Sequence, residues 1–273
     1  MSALLAVDIG NSTIGLGLFP EPARNEDIFI KKISLHPAQS TAAYKKIIVE
    51  FIEDCGKRQR AKGKGQEKTD VILSSVVPSL NETIIKSLRG ISVKEPLIVR
   101  RKLECGLNFA VTTPEAIGAD RIANAAAGFH YFKRPVAVVD FGTATTITVI
   151  GKNRSLIGGA IMPGVHLMQA ALHEGTEKLP PIPLKTPKTV LGRSTVSSIT
   201  SGIIHGTAGA VEALIKGMEK ELGFRLKLVL TGGYAKLMSP LVKRGHRLEP
   251  NLTFEGLRLI YLKNRDKEHS CTN

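Results

Sequence analysis

The sequence predicts an α/β protein built from two copies of one supersecondary unit, and two observations carry that reading. The first is an echo: LLAVDIGNST at Leu4–Thr13 returns as VAVVDFGTAT at Val136–Thr145. Each is a run of β-formers ending in Val-Asp, one apolar residue, Gly, and small hydroxyl or amide residues. The second is the element order read from hydrophobic periodicity, which runs strand, strand, strand, helix, strand, helix in each half. A strand followed by Asp-x-Gly is by itself compatible with a plain turn, the Asp bonding its own backbone and the Gly supplying φ > 0. The matched pair points further, to a carboxylate at each strand tip and a turn with free N–H groups beyond it. A carboxylate there suits hydrated Mg²⁺, and the N–H groups and hydroxyls suit phosphate oxygens. Two such tips facing each other make a nucleotide cleft.

In the first half, strands are expected at Leu4–Asp8, Ile14–Phe19 and Ile28–Ser34, the first two joined as a hairpin at Gly10–Thr13. Ala42–Cys55 has apolar residues at helical spacing (Ile47, Ile48, Phe51, Ile52). Asp70–Val76 is a strand of Val, Ile and Leu that Pro78 stops, Leu80–Leu88 is the next helix, and Ile98–Val99 a short strand. In the second half, Ile117–Phe132 reads as a helix closed by Pro135, followed by strands at Val136–Asp140, Thr145–Val149 and Leu156–Ile161. Val165–Leu172 is helical, and Leu179–Pro187, with its prolines, is an extended loop. Thr195 opens a long helix to about Leu222, within which Gly202, Gly206 and Gly209, each costing about 1 kcal/mol, suggest close backbone packing. Leu226–Thr231 is a strand and Tyr234–Lys243 a helix. The expected domain division is 1–116 and 117–273.

Composition narrows the class. A chain of 273 residues, 42% hydrophobic, can bury a core in each of two modest domains. No apolar stretch approaches the roughly 20 residues of a membrane span, and the N-terminus lacks a secretory pattern, so no membrane association is expected. Cys55, Cys105 and Cys271 are scattered without a CxxC pair, which argues against structural zinc or a disulfide framework and for a cytoplasmic location. His166 and His173 read as ordinary surface or loop residues. The net charge of +14 invites a polyanionic partner, but part of it sits in the Gly- and Lys-rich run Gly56–Lys68, read as a solvated, mobile loop. Aromatics make up only 5% of the chain and none interleaves with that run, which argues against nucleic-acid binding. Gly63-Lys64 lacks the flanking residues of a P-loop, and no Gly-x-Gly-x-x-Gly follows a strand.

The repeated strand and helix order resembles the ribonuclease H-like unit duplicated in the actin-like ATPase and sugar-kinase superfamily. VDIGNST, VDFGTATT and VLTGGYAKL stand in the order of that superfamily's two phosphate motifs and its adenosine motif. The finer wording is narrower. GADRIANAAA (Gly118–Ala127), VVDFGTATTITV (Val138–Val149), GGAIMPGVHLMQAALHEGTEKLP (Gly158–Pro180) and SITSGIIHGTAGAVEALI (Ser198–Ile215) together resemble type III pantothenate kinases through nearly the whole chain. The resemblance implies two ribonuclease H-like domains with an interdomain nucleotide cleft, and transfer of the γ-phosphoryl group of ATP to pantothenate, the first step of coenzyme A synthesis. It also implies a homodimer.

Carried over residue by residue, the resemblance makes Asp120 the catalytic group that accepts the proton of the substrate hydroxyl. At a helix N-terminus this Asp is expected to stay ionised and to be a weak base, which phosphoryl transfer tolerates because positioning and charge neutralisation dominate. Its alternative role is a helix cap paired with Arg121. Asp8, Ile9, Gly10, Asn11, Ser12, Thr13, Ile14, Gly15 and Thr143 fall at ATP-binding positions, with Asp8 orienting Mg²⁺ through water. Asp140 falls at the position of a monovalent cation, K⁺ or NH₄⁺. Gly118, Ala119, Asp120, Arg121 and Thr195 fall at pantothenate-binding positions. Arg121 suits a substrate carboxylate through its bidentate fork, and Thr195 has the alternative role of N-cap. Departures from the pattern are Ser12 for the usual Thr, Glu177 for the usual Ala, Val111 where some members have Tyr, and the basic run. A nucleic-acid-associated regulatory homologue and a kinase of another small alcohol are the alternative readings of function.

Overall fold

The computed structural model describes residues 2–22, 28–60, 69–92, 94–176, 179 and 182–265, so Glu177, Cys271 and residues 61–68 of the basic run lie outside the described residues. The described residues fall into two compact units, one within Met1–Gly106, Thr113–Ala127 and Thr253–Asn273, the other within Leu107–Thr112 and Gly128–Leu252. The units interleave along the sequence, which corrects the single cut expected between residues 116 and 117. The physical reason is the C-terminal helix, whose aromatic side chains are buried in the first unit.

The first unit holds β1 (Ala3–Ile9), β2 (Thr13–Phe19), β3 (Phe29–Ser34), α1 (Thr41–Arg60), β4 (Thr69–Ser75), α2 (Pro78–Ser87) and β5 (Leu97–Ile98). Its sheet runs β3-β2-β1-β4-β5, with β1 antiparallel to β2 and parallel to β4. Alternation divides the two faces. Leu5, Val7 and Ile9 of β1, Ile14, Leu16 and Leu18 of β2, and Val71 and Leu73 of β4 form one core with Tyr44, Ile48 and Phe51 of α1 and Ile84 of α2. α1 runs to Arg60, beyond the expected Cys55, so the start of the basic run is helical. Burial pushes the Cys55 thiol up to about 11, so it behaves as a small apolar core residue.

The other face of this sheet receives a helix absent from the expected elements, Leu252–Asn264. Gly15 and Gly17 let it approach: a Cβ on either would stand 2.8 Å or 2.7 Å from the Phe254 ring. A second close approach puts Gly256 against the backbone at Ala123. The Tyr261 hydroxyl donates to Asp70 Oδ2 at 2.6 Å, and Arg258 pairs with Glu255 while donating to Pro22 O at 2.6 Å. Because Glu255, Arg258 and Asn264 are buried together with its apolar residues, the helix shows no amphipathic stripe for a sequence reading to find.

Ala119–Phe132 forms α3, whose residues up to Ala127 belong to the first unit. The second unit contains β6 (Asn108–Phe109), β7 (Val136–Phe141), β8 (Ala144–Ile150), β9 (Ser155–Pro163), α4 (Val165–Glu174), α5 (Thr195–Leu222), β10 (Lys227–Thr231), α6 (Ala235–Met238) and β11 (Arg247–Leu248); the C-terminal helix is α7. Its sheet order is β11-β10-β7-β8-β9-β6, so β9-β8-β7-β10-β11 repeats the first sheet's order, again with two antiparallel and two parallel pairings. Both units therefore have the ribonuclease H-like arrangement that the sequence pattern implies. Ala137, Val139, Phe141, Ile147 and Val149 pack on Ile203, Ile204, Val211 and Ile215 of α5. α6 stops at Met238, short of the expected Lys243, and passes into a 3-10 turn at Ser239–Leu241 where Pro240 has no N–H to extend the ladder.

At the end of α5, the Glu219 carboxylate accepts from Arg244, from Arg225 and from the Leu226 N–H at 2.6 Å. The Arg244 hydrogen bond, ahead of the others, holds its pKa down at about 2. α5 also brings a correction. A Cβ on Gly202, Gly206 or Gly209 would meet nothing within 4 Å, so the close backbone packing expected there is not made within the described chain.

Candidate functional site

The first acidic tip is the end of β1. The chain reverses over Gly10–Ser12, where the Gly10 N–H donates to Thr13 O at 3.0 Å and the Leu35 N–H donates to Ser12 O at 3.1 Å. Asn11, Ser12 and Thr13 stay exposed, while Asp8 is half-buried on the face opposite the core. In the sheet register Asp8 stands between Gly15 of β2 and Ser74 of β4. Ile9 and Ile14 put their side chains into the core, and Gly15 lies under Phe254, so these three offer a ligand main chain only.

Asp120 and Arg121 come to the same end of that sheet. The Val76 N–H, just after β4, donates to Ile9 O at 3.0 Å, and the Cβ position of Gly118 is 3.4 Å from Val76 Cγ1. The start of α3 is thereby placed beside the ends of β1 and β4. Gly118 is small because a side chain there would collide with the Asp120 carboxylate. Asp120 Oδ1 accepts the Arg121 N–H at 2.8 Å. Burial nevertheless raises the Asp120 carboxyl above the ordinary aspartate range, outweighing the Arg121 N–H and guanidinium, which pull it down. This corrects the expectation that the helix N-terminus keeps it a weak base: loss of water around the carboxylate is the larger effect. Ala119 is buried, Arg121 half-buried, and Val111 likewise.

The second tip is the end of β7, in the second unit. Asp140 is in register with Thr146 of β8 and Thr231 of β10. Like Asp8 it is half-buried, with backbone close on one side. Gly232, at φ 96°, has its Cα so close that a Cβ would fall on the Asp140 carboxylate and 2.7 Å from Phe141 N. The Tyr234 N–H donates to Phe141 O at 3.0 Å, fixing the glycine pair over the strand end. Thr143 is half-buried in the following turn, its carbonyl accepting the Gly164 N–H at 3.1 Å. Thr195 is exposed in the first turn of α5 but is not its cap. Ser194 is, through a capping box in which its Oγ accepts the Ser197 N–H and Ser197 Oγ accepts the Ser194 N–H.

A family model for type III pantothenate kinase matches residues 4–217. The chain belongs to this family. Solved structures of low sequence identity share its fold. A putative Baf family transcriptional activator from Campylobacter jejuni is 18% identical, with 96% of this chain and 99% of that one covered and a TM-score of 0.59. The ethanolamine utilization protein EutJ from Carboxydothermus hydrogenoformans is 17% identical, with 95% and 90% covered and a TM-score of 0.57. An activator of 2-hydroxyisocaproyl-CoA dehydratase from Clostridium difficile, with bound ADPNP, is 13% identical, with 98% and 96% covered and a TM-score of 0.54.

The residues present fit hydrated cations better than a protein-built metal cage. Among the described residues no group of three or more His, Cys, Asp or Glu is placed to hold a metal. Mg²⁺ normally keeps most of its waters and needs one or two carboxylates, which a half-buried Asp8 beside an exposed turn provides. His166 and His173 are exposed on α4. No helix among the described residues is long and apolar enough to cross a membrane. The sequence reading did not single out Ser74, whose only local signal was a serine pair ending an otherwise Val-, Ile- and Leu-rich strand. It also left out an apolar groove of about 660 Å³ between α4 and α5, lined by Leu167, Met168, Leu172, Ile199 and Ile203.

Proposed function

We propose that this protein transfers the γ-phosphoryl group of ATP to the primary hydroxyl of pantothenate, giving 4'-phosphopantothenate and ADP, the first step of coenzyme A biosynthesis. The observation that carries the reading is a half-buried Asp120, its basicity raised by burial, standing with Arg121 at the sheet end where Asp8 lies. In the step, the hydroxyl oxygen bonds to the γ-phosphorus and the bond from that phosphorus to the bridging oxygen breaks, leaving ADP. The hydroxyl proton goes to Asp120. A carboxylate of raised pKa is the better base, so burial assists this transfer. Arg121 binds the pantothenate carboxylate, and Gly118 and Ala119 admit the substrate to the helix start, with Thr195 as a further contact. Gly10, Asn11, Ser12 and Thr13 bind the ATP phosphates with Thr143, and Ile9, Ile14 and Gly15 contribute main chain. Asp8 holds Mg²⁺ through water; bound there, the metal neutralises phosphate charge. Asp140, half-buried beside Gly232, holds K⁺ or NH₄⁺ in support of nucleotide binding.

A homodimer is part of this reading. Leu167 and Leu172, 43% and 38% exposed, line the apolar groove next to the open glycine face of α5, and Ile161 of β9 is 65% exposed. A second copy covers both, and light scattering is expected to give twice the chain mass. The whole reading is tested by ADP release from a panel of small alcohols: pantothenate should be the one that turns over, with dependence on Mg²⁺ and on K⁺ or NH₄⁺. Turnover of a different alcohol makes it another small-alcohol kinase.

A second reading, a regulatory homologue associated with nucleic acid, is favoured by the net charge of +14 and by the likeness in fold to the putative Baf family transcriptional activator from Campylobacter jejuni. Salt-sensitive DNA binding lost on deletion of residues 56–68, with no ADP release, would establish it in place of the kinase.

A further inference from the structure

Ser74 is fully buried, and its Oγ has no hydrogen-bond partner among the described residues. Burying a hydroxyl unpaired costs stability, so a native structure that keeps one calls for an explanation. Its position supplies one. β4 turns Val71 and Leu73 into the core and Ser74 to the opposite face, in parallel register with Asp8. Neighbouring strands lie about 4.8 Å apart, a span that one water molecule bonds across. Ser74 also belongs to β4, whose following residue Val76 lies against Gly118.

We propose that Ser74 is a positioning residue of the Asp8 site, its hydroxyl accepting a hydrogen bond from a water of the hydrated divalent cation that Asp8 holds with the nucleotide. The inference rests on the kinase reading and adds to it the group that fixes the orientation of the metal's water shell. No described residue meets the hydroxyl, which leaves it for a partner that arrives with the ligand.

Ser74→Ala and Ser74→Cys separate this role from a structural one. The cysteine variant fills the same space with a poorer hydrogen-bonding group. Calorimetric titration with ADP, in Mg²⁺ and separately in EDTA, is the readout, together with the melting temperature of the ligand-free protein. Both variants are expected to bind Mg·ADP about tenfold more weakly and to bind ADP in EDTA as the wild type does. Ligand-free Ser74→Ala should melt no lower than wild type, since it loses no bond. An Mg·ADP affinity equal to wild type, an equal loss with and without metal, or a lowered ligand-free melting temperature each overturns the proposal. If the wild type gains nothing from Mg²⁺, the kinase reading falls and takes the proposal with it. If the wild type gains and Ser74→Ala gains equally, the proposal alone falls.

Discussion

The hairpins β1–β2 and β7–β8 hold the same place in their sheets, each led by the central strand of a repeated order and each carrying an Asp one residue before the strand ends. Their surroundings differ. Asp8 stands beside three exposed polar residues, a glycine and a buried hydroxyl that no described residue pairs with. Asp140 stands under Gly232, with Phe141 and Thr143 tied down by main-chain hydrogen bonds. Polar side chains and spare hydrogen-bonding capacity suit a ligand that comes and goes with its own water. A half-buried carboxylate with backbone close against one side suits an ion held partly by main-chain groups. The two units repeat one strand order, and local packing surrounds the two carboxylates differently.

Variants in the two tips test that contrast, and the largest effect is expected in the first unit. Asp120→Asn should lower turnover about a thousandfold while leaving ATP affinity largely intact, as expected when a general base is removed. Near-normal turnover would remove Asp120 from the mechanism. Because burial raises the Asp120 pKa, its contribution to stability is present at low pH and is lost as pH rises through the folded value. The same variant should therefore melt higher than wild type at neutral pH, and the acidic limb of the kcat/KM profile should lie above the usual aspartate range.

Next in size, Asp8→Asn should raise the Mg²⁺ concentration needed for half-maximal rate by about tenfold or more, as loss of a charged acceptor for the metal's water implies. Asp140→Asn should change the K⁺ requirement instead. If both substitutions shift the same ion, the two tips are not chemically distinct. The backbone contrast is read from stability. Gly232→Ala places a Cβ on the Asp140 carboxylate at φ 96° and should cost about 3 kcal/mol in denaturant unfolding. Gly10→Ala meets only Thr13 O at 3.3 Å and should cost about 1 kcal/mol or less. Comparable losses would mean that the first turn is packed as tightly as the second.

The smallest effect is confined to acid. The Glu219 pKa of about 2, below the ordinary 4.5, means stability present above the unfolded value and lost as pH falls from about 5 toward 2. Glu219→Gln should flatten that part of the stability curve. An unchanged acid transition would show that the Arg244 pair adds nothing there.

The strand tips were legible because they are local: alternation sets the strand phase, and Asp-x-Gly ends it. Asp120 and Arg121 were legible through a resemblance tied to short motifs. The altered basicity of Asp120 was not, because helix-end polarity is visible in sequence whereas water exclusion depends on what packs over the helix start. The glycines of α5 were misread for a related reason. Their cost is a property of the helix, but whether anything fills the space they leave depends on neighbours.

Taken alone, the order of residues determined most of the strands and helices, the hairpin at Gly10–Thr13, the acidic residue at each tip and the long helix beginning at Thr195, since these follow from short-range periodicity and turn chemistry. Only the tertiary structure decided that α7 returns to the first sheet over Gly15 and Gly17, that Ser74 stands beside Asp8, and that Gly232 closes over Asp140. Each of those contacts joins segments far apart in the chain, and no local pattern encodes which distant partner a buried face will meet.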